Sequence, residues 1–356
     1  MNDYRIIGLM SGTSLDGLDI AYVHFTQVSD GTWKYRILYS STVSYPQQLQ
    51  TALKNALSLS VLEHELLSIA FAKFSGASLN DFIMRHSIDR SEIQCVASHG
   101  HTTHHRPELG FTLQIGCGQT IATSCNLPVI NDFRTKDVVY GGQGAPLVPI
   151  GDELLFESTI DGFLNIGGIS NISFKKDNSR YAFDVCPGNL PLNFLALRFG
   201  KEFDDNGNYA RKGVVLPELL DELNRLEFYK EQGKNSLGLE WILATIYPLI
   251  EKNNATENLL ATLVEHIAEK IGEVCTTNNI LKLMITGGGA LNGYLIERIS
   301  VHCSTEIIIP TKETILFKEA LIFAFLGCLH EENIPNCLPT ATGASKAVVG
   351  GVKYLP

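Results

Sequence analysis

One order of elements occurs twice in this chain: strand, strand, strand, helix, strand, helix, strand. In the first copy an apolar pair at 6–7 leads into a small-residue turn, and an alternating run at 20–25 leads out. A β-rich stretch at 33–43 follows. Helical stretches come next at 47–59 and 63–86, the second with Leu66, Leu67, Ala70, Phe74 and Ala77 near helical spacing. A short buried-type strand at 93–97 ends in Ser98-His99-Gly100. A helix at 118–125 precedes a strand at 127–131 that ends in Asp132-Phe133-Arg134. The second copy opens with a strand at 163–166, the turn Gly167-Gly168-Ile169-Ser170-Asn171, and strands at 172–175 and 181–183. Helices are expected at 189–199, 216–226, 239–250 and 259–275. The last of these places Leu260, Leu263, Val264, Ile267, Ile271 and Val274 on one face. A strand at 281–285 runs into Thr286-Gly287-Gly288-Gly289, and a strand at 307–309 precedes an apolar helix at 317–329. Mixed order of this kind means an α/β protein with helices packed on a sheet. Two similar halves predict a duplicated fold with a cleft between them, and 356 residues suffice for two domains.

The turn that opens the first copy reads GLMSGTSLDGLD, residues 8–19. Its glycines allow positive φ and close approach to a ligand. Its hydroxyls and N–H groups make a concave set of donors suited to an anion. Asp16 and Asp19 would repel a bare phosphate but suit one that arrives with a divalent metal. A polar hairpin turn without a ligand would use the same residues. Between the halves, residues 136–150 are rich in Gly and Pro and lack a helical period. They suit a functional loop or a plain linker equally.

Composition excludes several classes. A net charge of −10 without a long basic run makes nucleic acid and anionic membranes poor partners. No apolar stretch approaches the ~20 residues of a membrane span, and the first residues lack a signal-peptide pattern. Eight scattered cysteines without a CxxC pair are expected to be reduced, in a cytoplasmic protein. The chain has no GxxxxGK[ST], no complete GxGxxG after a strand and no GxSxG. The run HGHTTHHRP at 99–107 lacks nearby cysteines and an HExxH partner. Its histidines are expected in a strand-end loop, bonded to a polar substrate or a neighbouring loop rather than to zinc.

With these residues in hand, the whole chain resembles the anhydro-N-acetylmuramic acid kinases of the sugar kinase and actin superfamily. The resemblance lies in GLMSGTSLDGLD (8–19), NDFR (131–134), GGQGAPLVP (141–149), LNIGGISNI (164–172), PGN (187–189), GGGALN (287–292), EALIFAFL (319–326) and TGA (342–344), in family order. It implies duplicated RNase-H-like domains of the actin and hexokinase type with an interdomain cleft. The expected domains are 1–134, joined by the tail 345–356, and 135–344. It also implies a cytoplasmic, Mg-ATP-dependent kinase, with a homodimer common. Such a kinase opens the 1,6-anhydro ring with water and phosphorylates O6, giving N-acetylmuramic acid 6-phosphate for peptidoglycan recycling.

Roles carry over residue by residue. The family's base falls on Asp184, which ends a strand just before Pro187-Gly188; as an alternative it would cap the following helix. The nucleotide falls to Gly12, Thr13, Ser14, Leu15, Asp16, Gly17 and Asp19, to Gly168, and to Gly287, Gly288, Gly289 and Asn292, with Mg2+ at Asp16. The sugar falls to His99, Arg134 and Glu319. The planar fork of Arg134 suits a carboxylate or a transferring phosphoryl group. Three blocks depart from the family pattern, most notably at His101 in HGQT, at Cys186 in DTGPGN, and at Leu239, where the arginine is missing from a block often written KSTGRE, here Asn235 to Glu240. They bear on substrate preference and rate, Cys186 by narrowing the site. They leave open a kinase for another amino sugar without ring opening. A nucleotide-gated binding protein of the superfamily is a further alternative.

Overall fold

The computed structural model describes residues 2–12, 15–29, 31–156, 159–177, 179–231, 237–251 and 255–356. Thr13, Ser14, Asn235 and Ser236 lie outside the described residues. The chain forms two compact units: Met1–Phe156 with Phe317–Pro356, and Glu157–Leu316. The strands are β1 (Asn2–Ser11), β2 (Leu18–Gln27), β3 (Trp33–Val43), β4 (Cys95–Arg106), β5 (Phe111–Ile115) and β6 (Val129–Asn131). They continue with β7 (Gly162–Ile166), β8 (Ile169–Lys176), β9 (Ser179–Pro187), β10 (Lys282–Thr286), β11 (Glu306–Ile308) and β12 (Val352–Tyr354).

The duplication is visible in strand pairing. In the first unit β3, β2 and β1 are antiparallel neighbours, and β1, β4 and β6 continue in parallel. In the second unit β9, β8 and β7 are antiparallel, and β7, β10 and β11 continue in parallel. Both sheets thus share one RNase-H-like plan. The first adds β12 antiparallel to β6 and β5 antiparallel to β4.

Strand β1 reads as a continuous apolar run because both of its faces are covered. Successive side chains point to opposite faces. Ile6 and Met10 join Val23 and Phe25 in a core with Leu321, Phe323 and Phe325. Ile7 and Leu9 join Ile20 and Tyr22 in a second core with Phe71, Leu79 and Phe82. The helix Lys312–Glu331 presses so closely on the first face that a Cβ on Gly8 would lie 1.9 Å from the Ala320 carbonyl oxygen. Farther along, a Cβ on Gly327 would meet that of Ala97 at 2.7 Å. In the second unit, Thr256–Thr277 buries Leu260, Leu263, Val264, Ile267 and Ile271 against Leu164, Ile166, Ile172, Val185 and Ile285. Each such side chain, fully buried, contributes about 1.5–3 kcal/mol.

On the second face of β1 lies the helix Val61–Arg85, which opens with a capping box: Ser60 Oγ accepts from Glu63 N–H, and Glu63 Oε2 accepts from Ser60 N–H at 2.9 Å. Ser60→Ala is expected to lower unfolding stability by about 1 kcal/mol, read by urea denaturation. An unchanged midpoint would show that the cap is idle.

Two expectations are corrected. Residues 135–156 and 317–344, assigned on sequence to the C-terminal domain, pack in the first unit. Leu147, Ile150 and Leu155 share its core with Ala320 to Leu326, whose apolar side chains cover the sheet. The histidine run is not a loop, because β4 continues to Arg106. It does so because β5 supplies a ladder partner, with His101 opposite Ile115 and His105 opposite Thr112. The apolar helix follows the kink at Phe317 (φ −116°, ψ 15°), as expected, and a further helical turn from Lys312 precedes the kink.

Candidate active site

In the first unit the turn after β1 and Arg134 after β6 sit at strand ends, while His99 lies within β4 and Glu319 on a helix. The turn after β1 is exposed at Asp16 and half-buried at Gly12 and Leu15. Leu15 takes φ +60°, the left-handed region that costs a non-glycine residue about 1–2 kcal/mol. Strain of this kind gathers at ligand-binding turns. The Leu15 carbonyl accepts from Gln50 Nε2 at 3.0 Å. Gly17 is sterically required, since a Cβ there would lie 2.7 Å from Thr42 Cγ2 and 2.8 Å from the Val43 carbonyl oxygen. Asp19, half-buried on β2, accepts from Thr42 Oγ1 at 2.5 Å. Burial raises its carboxyl, and the Asp16 charge adds to the rise. Two neighbouring carboxylates suit a divalent cation, and magnesium commonly takes one or two carboxylates with substrate phosphates.

Arg134 follows β6 and is half-buried. Its Nη1 donates to the Gly144 carbonyl at 2.7 Å, and Nη2 and Nε approach His99 Nε2 at 2.9 and 3.2 Å. His99 is buried on β4. Burial, then the Arg134 charge, hold its pKa well below the usual histidine value, so its neutral ring can accept from the guanidinium. His99 therefore stands against Arg134 and orients it. Burial lowers Arg134 to about 10, with Glu319 opposing, so it stays cationic at neutral pH. Glu319, from the helix Lys312–Glu331, is exposed. Desolvation by surrounding protein raises its carboxyl, partly offset by Arg134 and reinforced by Asp19. The structure thus brings Asp19, His99, Arg134 and Glu319 into one electrostatic neighbourhood.

Asp137 was not anticipated. It is fully buried, accepts from the Gly144 N–H at 2.8 Å through Oδ2, and accepts from Thr342 Oγ1 at 2.8 Å through Oδ1. It holds the 141–146 loop whose Gly144 carbonyl engages Arg134, so this stretch is a supporting loop, not a plain linker. An acid three residues after Arg134 was the only sequence signal. Its partner Thr342 lies 205 residues away.

In the second unit, glycines let three segments meet. The Gly168 carbonyl accepts from Gly188 N–H at 2.9 Å, and the Gly167 carbonyl from Asn189 N–H at 2.8 Å. The turn therefore sits on the start of the helix Asn189–Ala196. A Cβ on Gly168 would lie 2.9 Å from Leu190 Cγ. Gly287 has φ +78°, and a Cβ there would lie 2.7 Å from the Ile166 carbonyl oxygen. A Cβ on Gly289 would overlap Ile166 Cγ2 at 2.2 Å. Gly288 is exposed, with only Asn189 Nδ2 near its absent Cβ, at 3.4 Å. It is the glycine of the three that a ligand can approach. Asn189, not among the expected site residues, donates from Nδ2 to the Ile166 carbonyl at 3.1 Å and joins both turns. Asn292 is an N-cap: its Oδ1 accepts from Leu295 N–H at 3.1 Å at the start of Gly293–His302.

Asp184 is half-buried on β9, and Oδ2 accepts from the Leu237 N–H at 2.8 Å. Burial raises its carboxyl above the ordinary aspartate value, and the Leu237 bond partly opposes this. It does not cap the helix Asn189–Ala196, whose N-cap is Gly188. Cys186 does not narrow the site either: it is fully buried in the core, and burial pushes its thiol up to about 12. Leu239 is exposed at the start of a short helix. Among the described residues one cluster has metal-ligand spacing, Glu265, Glu269 and His302. Glu265 is already engaged there by Arg298 at 2.6 and 2.8 Å and by His302 at 2.8 Å. The histidines of β4 form no such cluster among the described residues. No helix among them is long and apolar enough to cross a membrane.

Residues 4–356 match the family described as Anhydro-N-acetylmuramic acid kinase. The chain is 32% identical to the anhydro-N-acetylmuramic acid kinase of Shewanella denitrificans, over 98% of this chain and 97% of that one. It is 34% identical to the enzyme of that name from Haemophilus influenzae, over 99% and 98%, and 32% identical to that from Francisella tularensis subsp. novicida, over 99% and 100%. The match runs through both units and every site segment just described, and the chain belongs to the anhydro-N-acetylmuramic acid kinase family.

Proposed function

We propose that the protein is a cytoplasmic, ATP-dependent kinase that hydrolyses the 1,6-anhydro bond of anhydro-N-acetylmuramic acid and phosphorylates O6. The match along residues 4–356 carries the assignment. Asp184 takes a proton from the water that attacks the anomeric carbon. The C1–O6 bond breaks, and O6 takes the γ-phosphoryl group, leaving ADP and N-acetylmuramic acid 6-phosphate. A half-buried carboxylate with a raised pKa and one fixed oxygen supports that role. Arg134, cationic and locked on two sides, orients an anionic group: the sugar's lactyl carboxylate or the transferring phosphoryl group. Glu319 accepts from sugar hydroxyls. The turn 12–17 and the exposed Gly288 offer backbone to the nucleotide. Asp16 and Asp19 would hold Mg2+, which neutralises phosphate charge when bound. Gly168 and Asn292 serve through packing and capping.

The test is ADP release with anhydro-N-acetylmuramic acid against a panel of intact amino sugars, followed by product mass. The expected product exceeds the substrate by one phosphoryl group and one water. Release with an intact sugar alone, or a product lacking the added water, would overturn the coupled reaction.

A further inference from the structure

His101 departs from the family pattern and takes no part in the reaction above. It is buried on β4, with Nδ1 2.8 Å from Ser11 Oγ at the end of β1. Ser11 is buried too, and the Tyr45 hydroxyl lies 2.7 Å from its Oγ. The same hydroxyl lies 2.9 Å from the Gly17 carbonyl oxygen. Ser11 precedes the turn 12–17 and Gly17 ends it. One chain of side chains therefore touches both ends of that turn.

Proton counting orders the chain. The Gly17 carbonyl can only accept, so the single Tyr45 hydrogen belongs there. Ser11 then donates to the Tyr45 oxygen, and His101 donates from Nδ1 to Ser11. This is the one arrangement in which all three short distances are hydrogen bonds. Burial lowers His101 to about 4 and raises Tyr45 to about 12, so both are neutral near pH 7. Buried polar groups satisfied in series stiffen what they hold.

We propose that Tyr45 and His101 are positioning residues for the nucleotide: with Ser11 they clamp both ends of the 12–17 turn and so set its affinity for ATP phosphates. The proposal rests on the kinase assignment for its ligand, but the clamp can be measured without a ligand. Tyr45→Phe removes one oxygen and keeps the ring, which packs near Phe71 and Phe74. His101→Leu removes the donor. His101→Gln restores a donor in the family's own residue type.

The experiment pairs steady-state kinetics with hydrogen exchange of the peptide 8–20 in the ligand-free protein. Tyr45→Phe and His101→Leu are expected to raise the KM for ATP about three- to tenfold, the effect of losing one hydrogen bond. The kcat and the KM for the sugar stay within about twofold, and exchange of the 8–20 peptide accelerates. His101→Gln is expected to match the wild type in both. If His101→Leu fails to fold, Tyr45→Phe decides alone. Unchanged exchange and KM in Tyr45→Phe overturn the proposal. So does a common loss in every constant with a lowered Tm, which marks a merely structural contact. If the wild type fails to turn over the anhydro sugar, the kinase assignment falls, and the exchange result alone decides for or against the clamp.

Discussion

Asp184→Asn is expected to lower turnover by about 10²–10⁴-fold while leaving ATP affinity unchanged. The substitution keeps size and shape, and its amide oxygen can still accept from Leu237 N–H, so the backbone at β9 has no reason to move. What it loses is the ability to take a proton. Activity of the wild type should fall as pH drops through a pKa above the ordinary aspartate value, because burial disfavours the charged form. Stability moves the other way. A carboxyl whose folded pKa is raised binds its proton more tightly when folded. Its favourable contribution is fully present below the unfolded pKa of about 3.9 and is lost as pH rises through the folded value. At pH 7 the ionised Asp184 is therefore a cost, and Asp184→Asn should melt no lower than the wild type. Isothermal titration with ATP, initial rates and melting at pH 7 measure the three parts. Near-normal turnover would remove Asp184 as the base.

Gly8→Val is expected to cost about 4 kcal/mol or more and to abolish activity with it. A Cβ at this position would stand 1.9 Å from the Ala320 carbonyl oxygen and 2.8 Å from the Ala324 nitrogen. Both are backbone atoms of a helix whose apolar side chains fill the core, so no rotamer change can relieve the clash. The helix must lift from β1. Glu319, which precedes Ala320, must move with it. Gly110→Ala is the control. Gly110 has φ +80° but open space around its absent Cβ, so only the left-handed backbone penalty of about 1–2 kcal/mol applies. Denaturant unfolding of both variants tests the contrast. Equal losses would mean that the helix is not packed against Gly8 as described.

The two positions mark different depths of legibility. Asp184 is proposed through the family resemblance, and strand order with a flanking Pro-Gly puts it on a strand, which here runs on to Pro187. Gly8 belongs to a motif that reads as a ligand turn, yet its first constraint is a helix more than 300 residues away in sequence. The histidines misled in a similar way. Their composition resembles a polar loop, but β5 gives them a ladder partner and turns them into a strand. One of them, His99, expected at the sugar, stands against Arg134.

By itself the sequence determined the repeated strand order, the two glycine turns and the blocks that carry the family likeness. These depend on local periodicity and turn chemistry, which a short window contains. Only the tertiary structure decided that residues 135–156 and 317–344 belong to the first unit, that His99 fixes Arg134 across 35 residues, and that Asp137 holds the supporting loop through Thr342 across 205. Burial makes such pairs mandatory, since a desolvated polar group must find a partner. Which partner it finds is set by how the sheet and helices bring distant segments together, and no local pattern records that.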